Sequence, residues 1–214
     1  MEWPLLAGIP ADDVRAVLAA SRRRVFGKGE VVFHRGDPAD SLHLVVSGRF
    51  AIRAATPLGD TVAFSLRRPG ESFGELALVE PGSQRSATVS ALEPGETRAL
   101  AYSEVERLRR EHTAVDRVLL ALLAADVRRL SGLLLDALFV PADRRVLRRL
   151  LELAEEGPPL ALTQEELAQL AGTSRATVNK VLREEERRGT VRLDRGRMTV
   201  TDAEPLRKRA RVGA

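Results

Sequence analysis

The chain has 214 residues, 44% hydrophobic and 30% charged, the proportions of a folded protein with room for one large domain or two small ones. It contains no cysteine, which excludes disulfides, thiolate zinc sites, cysteine-ligated iron–sulfur clusters and cysteine nucleophiles. The net charge is +4, and the whole excess lies in residues 141–214, which hold 16 basic against 12 acidic residues; this suggests a nucleic-acid-facing module joined to a neutral one.

The three histidines, His34, His43 and His112, are scattered without metal-ligand spacing, so no metal is expected. No apolar run reaches about 18 residues and the N-terminus lacks a signal-peptide pattern, so no membrane association and a cytoplasmic location are expected.

In chain order, "PADDVRAVLAASRRRVF" reads as an amphipathic helix, with Val14, Val17 and Leu18 at helical spacing. From Gly27 to Leu100, short β-type runs such as "LHLVVSG" and "TVAFSLR" are punctuated by glycines, and "PLGDT" reads as a hairpin turn. The expected fold there is an antiparallel sandwich or barrel. "SEVERLRREH" offers Ser103 and Glu106 as a capping box for a helix.

Thr113 to Phe139 reads as one long, leucine-rich helix. Leu120, Leu123, Val127, Leu130, Leu134 and Ala137 recur at 3-4-3-4-3 spacing, a coiled-coil seam suited to a second copy of the chain; the competing reading is a helix buried within one chain. Leu119, Leu122 and Leu133 widen the apolar surface so that another side can lie on the β domain. Pro141 ends the helix at a boundary or hinge.

Three further helices follow, then a hairpin. Thr163 caps "TQEELAQLAG" with Glu166 three residues on, and Ser174 caps "SRATVNKVLREEERRG". Joined by "AGTS" with Gly172, the pair reads as a helix-turn-helix. Leu167, Ala168, Leu170, Ala171, Val178, Val181 and Leu182 form its packing face. Arg175, Ala176, Asn179, Lys180 and Arg183 form the face that would enter a major groove, with Arg175 able to pair bidentately with guanine. Thr163, Ser174 and Thr177 suit phosphate oxygens, and the hairpin 191–200 is a wing with Arg195 and Arg197 at its tip. "REEERR" reads as a solvated face and the tail "LRKRARVGA" as frayed. No nucleophile–base pair is visible, so no enzyme is expected.

The stretch "FGELALVEPGSQRSATV" brings an acid, a guanidinium and a hydroxyl to spacing that suits a sugar-phosphate clamp or an ordinary hairpin. With the glycine-punctuated strands before it, the long helix and "TQEELAQLAGTSRATVNKVL" after it, nearly the whole chain resembles the cyclic-AMP receptor protein/fumarate-nitrate regulator superfamily of bacterial transcription factors. The resemblance implies an α+β protein: an antiparallel cyclic-nucleotide-binding β-roll at 1–112, a dimerisation helix and hinge at 113–140, and a winged helix-turn-helix at 141–214. It implies that Gly74, Glu75 and Leu76 form a turn whose backbone and carboxylate meet a cyclic phosphate and a ribose hydroxyl, with Arg85, Ser86 and Ala87 completing the phosphate site. The implied effector is cyclic AMP or cyclic GMP, with no required cofactor; the implied partners are a palindromic double-stranded DNA operator, a second subunit and RNA polymerase.

Two departures qualify the implication. Counted from Arg128-Arg129-Leu130, the Thr-Ser pair that reads adenine in the cyclic-AMP receptors is replaced by Leu133 and Leu134. A Glu that often follows the first Arg of the recognition helix is replaced by Ala176, so the operator is expected to differ there. The alternative is an effector-independent regulator governed by its abundance.

Overall fold

A computed structural model describes residues 3–56, 61–79, 82–155, 162–194 and 197–211. The predicted turn at 57–60 and the wing-tip Arg195 lie outside the described residues. The chain divides into two compact units: Met1–Ala54 with Phe64–Arg128, and Ala55–Ala63 with Arg129–Ala214.

The first unit opens with α1 (Ala11–Ala20) and continues into β1 (Arg22–Phe26), β2 (Val31–Phe33), β3 (Ser41–Ser47), β4 (Phe50–Ala55), β5 (Thr61–Arg67), β6 (Ser72–Phe73), β7 (Thr88–Ala91) and β8 (Gly95–Ala101). The strands form two four-stranded sheets, β1-β8-β3-β6 and β2-β7-β4-β5, a jelly-roll arrangement. Phe26, Val45 and Phe73 from one sheet meet Phe50, Val89 and Ala91 from the other in a core between them. The opposite face of the first sheet is also covered. There Leu42, Leu44 and Leu100 pack with Val17, Val105, Leu108, Val115 and Leu119, contributed by α1, α2 (Tyr102–Glu111) and α3 (Ala114–Phe139). With both faces covered, β3 is buried at four successive positions, Leu42 to Val45, instead of alternating.

Two local expectations are corrected. Residues 22–26 form a strand, not the end of a helix: Ser21 closes α1 on the Leu18 carbonyl, and Arg22 to Phe26 pair antiparallel with Ala99 to Gly95. Arg22 to Val25 are all exposed, on both faces of a strand at the sheet edge, so no apolar stripe marks it in the sequence. The Ser103 capping box does not form. The helix begins at Tyr102, straight out of β8, with Ala101 in the cap position, and the Tyr102 N–H is held by the Asp40 carbonyl at 3.1 Å.

The second unit contains α4 (Ala142–Glu155), α5 (Gln164–Ala171), α6 (Arg175–Arg187), the antiparallel pair β9 (Val191–Asp194) and β10 (Arg197–Val200), and α7 (Ala203–Ala210). The apolar stripe of α4, from Val146 to Leu153, and the packing residues of α5 and α6 are all buried. Two expectations fail here as well. Glu185, inside "REEERR", is buried, and the tail forms α7 with Leu206 wholly enclosed. A terminal helix has somewhere to bury an apolar side chain, which a frayed tail does not.

Candidate ligand cleft and nucleic-acid interface

In the first unit, a cleft is lined by Gly74, Glu75, Leu76, Arg85, Ser86 and Ala87 together with Phe33, Ile52, Gln84 and Val89. All six effector-site residues expected from the sequence therefore face one space. Gly74 opens a short turn at φ 92°, and a Cβ there would lie 2.8 Å from an Arg85 nitrogen and 3.1 Å from the Ser41 carbonyl oxygen. Only glycine allows that backbone conformation and that approach together.

Arg85 is 5% exposed. One terminal nitrogen donates to the Ser41 carbonyl at 2.8 Å and to the Tyr102 hydroxyl at 2.9 Å. The other donates to Asp40 and to the Ser41 hydroxyl, both at 3.2 Å. The guanidinium lies 4.0 Å over the Phe33 ring, and its Nε is buried without a hydrogen-bond partner. Tyr102 in turn donates to the Gly74 carbonyl at 2.8 Å, so one phenol fixes both the arginine and the turn. His43, stacked on Phe73 behind the site, is lowered to about 3 by burial and then by the charge of Arg85, and is neutral at physiological pH.

Glu75 is 7% exposed, and Arg85 is not its partner. Its Oε1 lies 4.0 Å from Arg67, and its Oε2 is buried without a hydrogen-bond partner. Arg67 reaches across to α3 and donates to both carboxylate oxygens of Asp126, at 2.9 and 2.8 Å, while Ser72 and Ser65 hold its remaining nitrogens. Burial pushes the Glu75 carboxyl up; its own backbone N–H and Arg67 oppose the rise, and Asp126 adds to it. Arg85 and Glu75 thus line one cleft, and each keeps one buried polar atom without a hydrogen-bond partner. That pair can take a ligand carrying an anionic group and a hydroxyl. Ser86 and Leu76 sit exposed at its rim.

Sequence reading missed Tyr102, Phe33, Ser41, Arg67 and Asp126. Tyr102 is the single tyrosine of the chain, which is a faint signal. Arg67 and Asp126 are 59 residues apart, and nothing local marks them as partners.

In the second unit, the Thr163 capping box with Glu166 and the Ser174 cap on the Thr177 N–H both form. Gly172 ends α5 in the left-handed conformation at φ 59°. The carbonyls left open there are taken by α4: Arg145 donates to Ala171 and Gly172, and Arg149 to Leu170. The turn is therefore held from outside as well as by its own sequence. On α6, Arg175, Ala176, Asn179, Lys180 and Arg183 are exposed, and Thr177 bonds the Ser174 hydroxyl at 3.0 Å. Arg197 is exposed at the start of β10.

On α3, Leu120, Val127, Leu130 and Leu134 are exposed in the single chain, as is Ala137, while Leu123 is partly buried. Leu119 instead enters the core and Leu122 packs on it. Leu135, Leu138 and Phe139 extend the bare apolar surface beyond the heptad positions. Among the described residues, no helix is long and apolar enough to cross a membrane.

Residues 23–112 match the model of the cyclic nucleotide-binding domain, and residues 144–209 that of the Crp-like helix-turn-helix domain. The "Cyclic AMP receptor protein" of Thermus thermophilus is 37% identical over 203 residues, covering 94% of this chain and 93% of that protein. A "CRP-like cAMP-activated global transcriptional regulator" of Mycobacterium tuberculosis is 34% identical over 97% of this chain and 96% of that protein. Among solved structures, the Thermus thermophilus catabolite activator protein aligns with a TM-score of 0.56 at 36% identity, over 97% of this chain and 98% of that one. A c-di-GMP responsive global regulator of Xanthomonas campestris shares the fold, with a TM-score of 0.78 at 22% identity over 89% of this chain and 99% of that one.

Proposed function

Because the chain belongs to the cyclic-AMP receptor protein/fumarate-nitrate regulator superfamily of transcription regulators, we propose that it acts as a homodimer on a palindromic DNA operator and that a cyclic nucleotide in its β-roll controls it. The observation that carries the DNA reading is the α6 surface. Five side chains, Arg175 to Arg183, stay exposed on one face while Val178, Val181 and Leu182 are buried on the other. Two such helices on a two-fold axis meet successive major grooves about 34–36 Å apart. Arg175 reads a base edge, Asn179 and Lys180 reach a base or phosphate, and Thr163, Ser174, Thr177 and Arg197 position the backbone. Ala176 touches a thymine methyl. RNA polymerase is the further partner of such a regulator.

The effector reading rests on the Arg85–Glu75 cleft. A cyclic phosphate meets the guanidinium and the Ser86 hydroxyl, and a ribose hydroxyl meets the Glu75 carboxyl. Binding shifts the protein only so far as the ligand prefers one arrangement over the other. Two measurements test these proposals together. Arg175→Ala is expected to weaken binding to the duplex that the wild type selects from random DNA by about 1–3 kcal/mol, with relaxed preference at one base pair. Calorimetry with cyclic AMP and cyclic GMP is expected to show heat for one of them. No heat, with full operator binding by the unliganded protein, would establish the effector-independent regulator instead.

A further inference from the structure

The carboxylate of Glu185, in the last turn of α6 and 2% exposed, is enclosed by partners from three directions. Thr190, at the foot of β9, donates its hydroxyl to Oε2 at 2.5 Å. Arg209, from α7, donates Nε to Oε1 at 3.0 Å and a terminal nitrogen to Oε2. Arg188 donates to Oε1 at 3.1 Å. Thr190 is itself a junction. Its N–H bonds the Glu185 carbonyl, and its own carbonyl accepts from the N–H groups of Thr201 and Asp202 on the far side of the hairpin. The Thr201 hydroxyl closes the base on the Gly189 carbonyl at 2.7 Å. Both strands of the hairpin therefore leave from a point pinned to Glu185.

The helix that carries Arg209, α7, is itself fixed to the rest of the unit. Leu206 and Ala210 are buried, Arg148 of α4 donates to the Ala210 carbonyl at 3.0 Å, and Arg207 pairs with Glu155 at 2.6 Å. We infer that α7 is a clasp that sets the wing against the recognition helix, with Arg209 and Glu185 as positioning residues for operator binding. Apolar side chains would fill the same space as stably, but they would not impose the directions of several hydrogen bonds at once.

This inference rests on the reading of α6 and the hairpin as DNA-facing, and its test separates the two. The probe is the duplex selected by the wild type, and the readout is the slope of log Kobs against log salt, which falls by about 1 for each phosphate that the protein ceases to neutralise. In the wild-type background, Arg197→Ala is expected to reduce that slope by about 1. In Arg209→Met the slope is expected to be reduced already, and Arg197→Ala to reduce it no further. A double variant, Glu185→Leu with Arg209→Leu, is expected to stay folded by apolar filling and to leave Arg197 equally without effect. An equal fall in all backgrounds overturns the clasp and leaves the wing on DNA. No fall even in the wild type removes the hairpin from the interface, and the clasp's role with it.

Discussion

The single phenol of the chain does more than its exposure suggests. Tyr102 accepts from Arg85 and donates to the Gly74 carbonyl, so it ties the cleft's cation to the cleft's turn across 17 and 28 residues of sequence. Tyr102→Phe keeps the ring against its neighbours and removes both bonds. Because it strands a partly buried acceptor at Gly74, a loss of about 1–2 kcal/mol in the first unit is expected. The buried Trp3, the only tryptophan, reports it by fluorescence in a urea titration; an unchanged midpoint would show that the phenol supports nothing. Residues such as Gly74, Glu75, Arg85 and Ser86 were legible in sequence because they lie in one short cassette. Tyr102, Asp40 and Ser41 were not, because the fold alone brings them to Arg85. The same limit hid the role of Glu185: a run of charges reads as solvated until the arginine that buries one of them is known to be 24 residues away.

At the scale of elements, periodicity gave the right helices wherever one apolar face was enough to define them, as in α4, α5 and α6. It failed where the decision lay with a partner strand, as at Arg22–Phe26, and where a tertiary bond set a helix start, as at Tyr102. On α3 the heptad reading meets a specific observation: Val127 is 63% exposed and Leu134 60% in the single chain. A helix buried inside one chain would cover them. Val127→Glu with Leu134→Glu is therefore expected to leave the stability of the isolated chain within about 0.5 kcal/mol, since both side chains are mostly exposed. In a dimer paired through this seam, the same change places four carboxylates on one apolar contact. Light scattering is expected to report a monomer, and operator affinity to fall by about 100-fold or more as the two half-sites are no longer bound together. A dimer that survives the double variant would place the subunit contact elsewhere.

For the molecule as a whole, its two units carry buried carboxyl groups displaced in opposite directions, so acid acts on them with opposite sign. In the first unit, burial raises Glu75 above its ordinary 4.5. The folded form then holds a proton that the unfolded chain has released, and stability falls as pH rises through that interval. Acidifying from neutral is expected to stabilise this unit from the raised value of Glu75 down to about 4.5, where the unfolded chain takes up the same proton, and Glu75→Gln to flatten that part of the Trp3-monitored curve. In the second unit, burial pushes Glu185 up, but the hydrogen bonds from Arg209 and Thr190 outweigh it and hold the carboxyl below 4.5. Here the folded form binds fewer protons. Its contribution is complete above 4.5 and is lost as pH falls toward the lowered value, which Glu185→Gln is expected to abolish. Amide exchange in α5 and α6 follows this unit separately from Trp3. Other carboxylates titrate in both units, so the difference between each variant and the wild type carries the sign. Two differences of the same sign would mean that one of the two carboxyls is not held as its neighbours imply. Opposite signs would make mild acid a condition that firms the first unit while leaving the contacts of Glu185 with Arg209 and Thr190 intact.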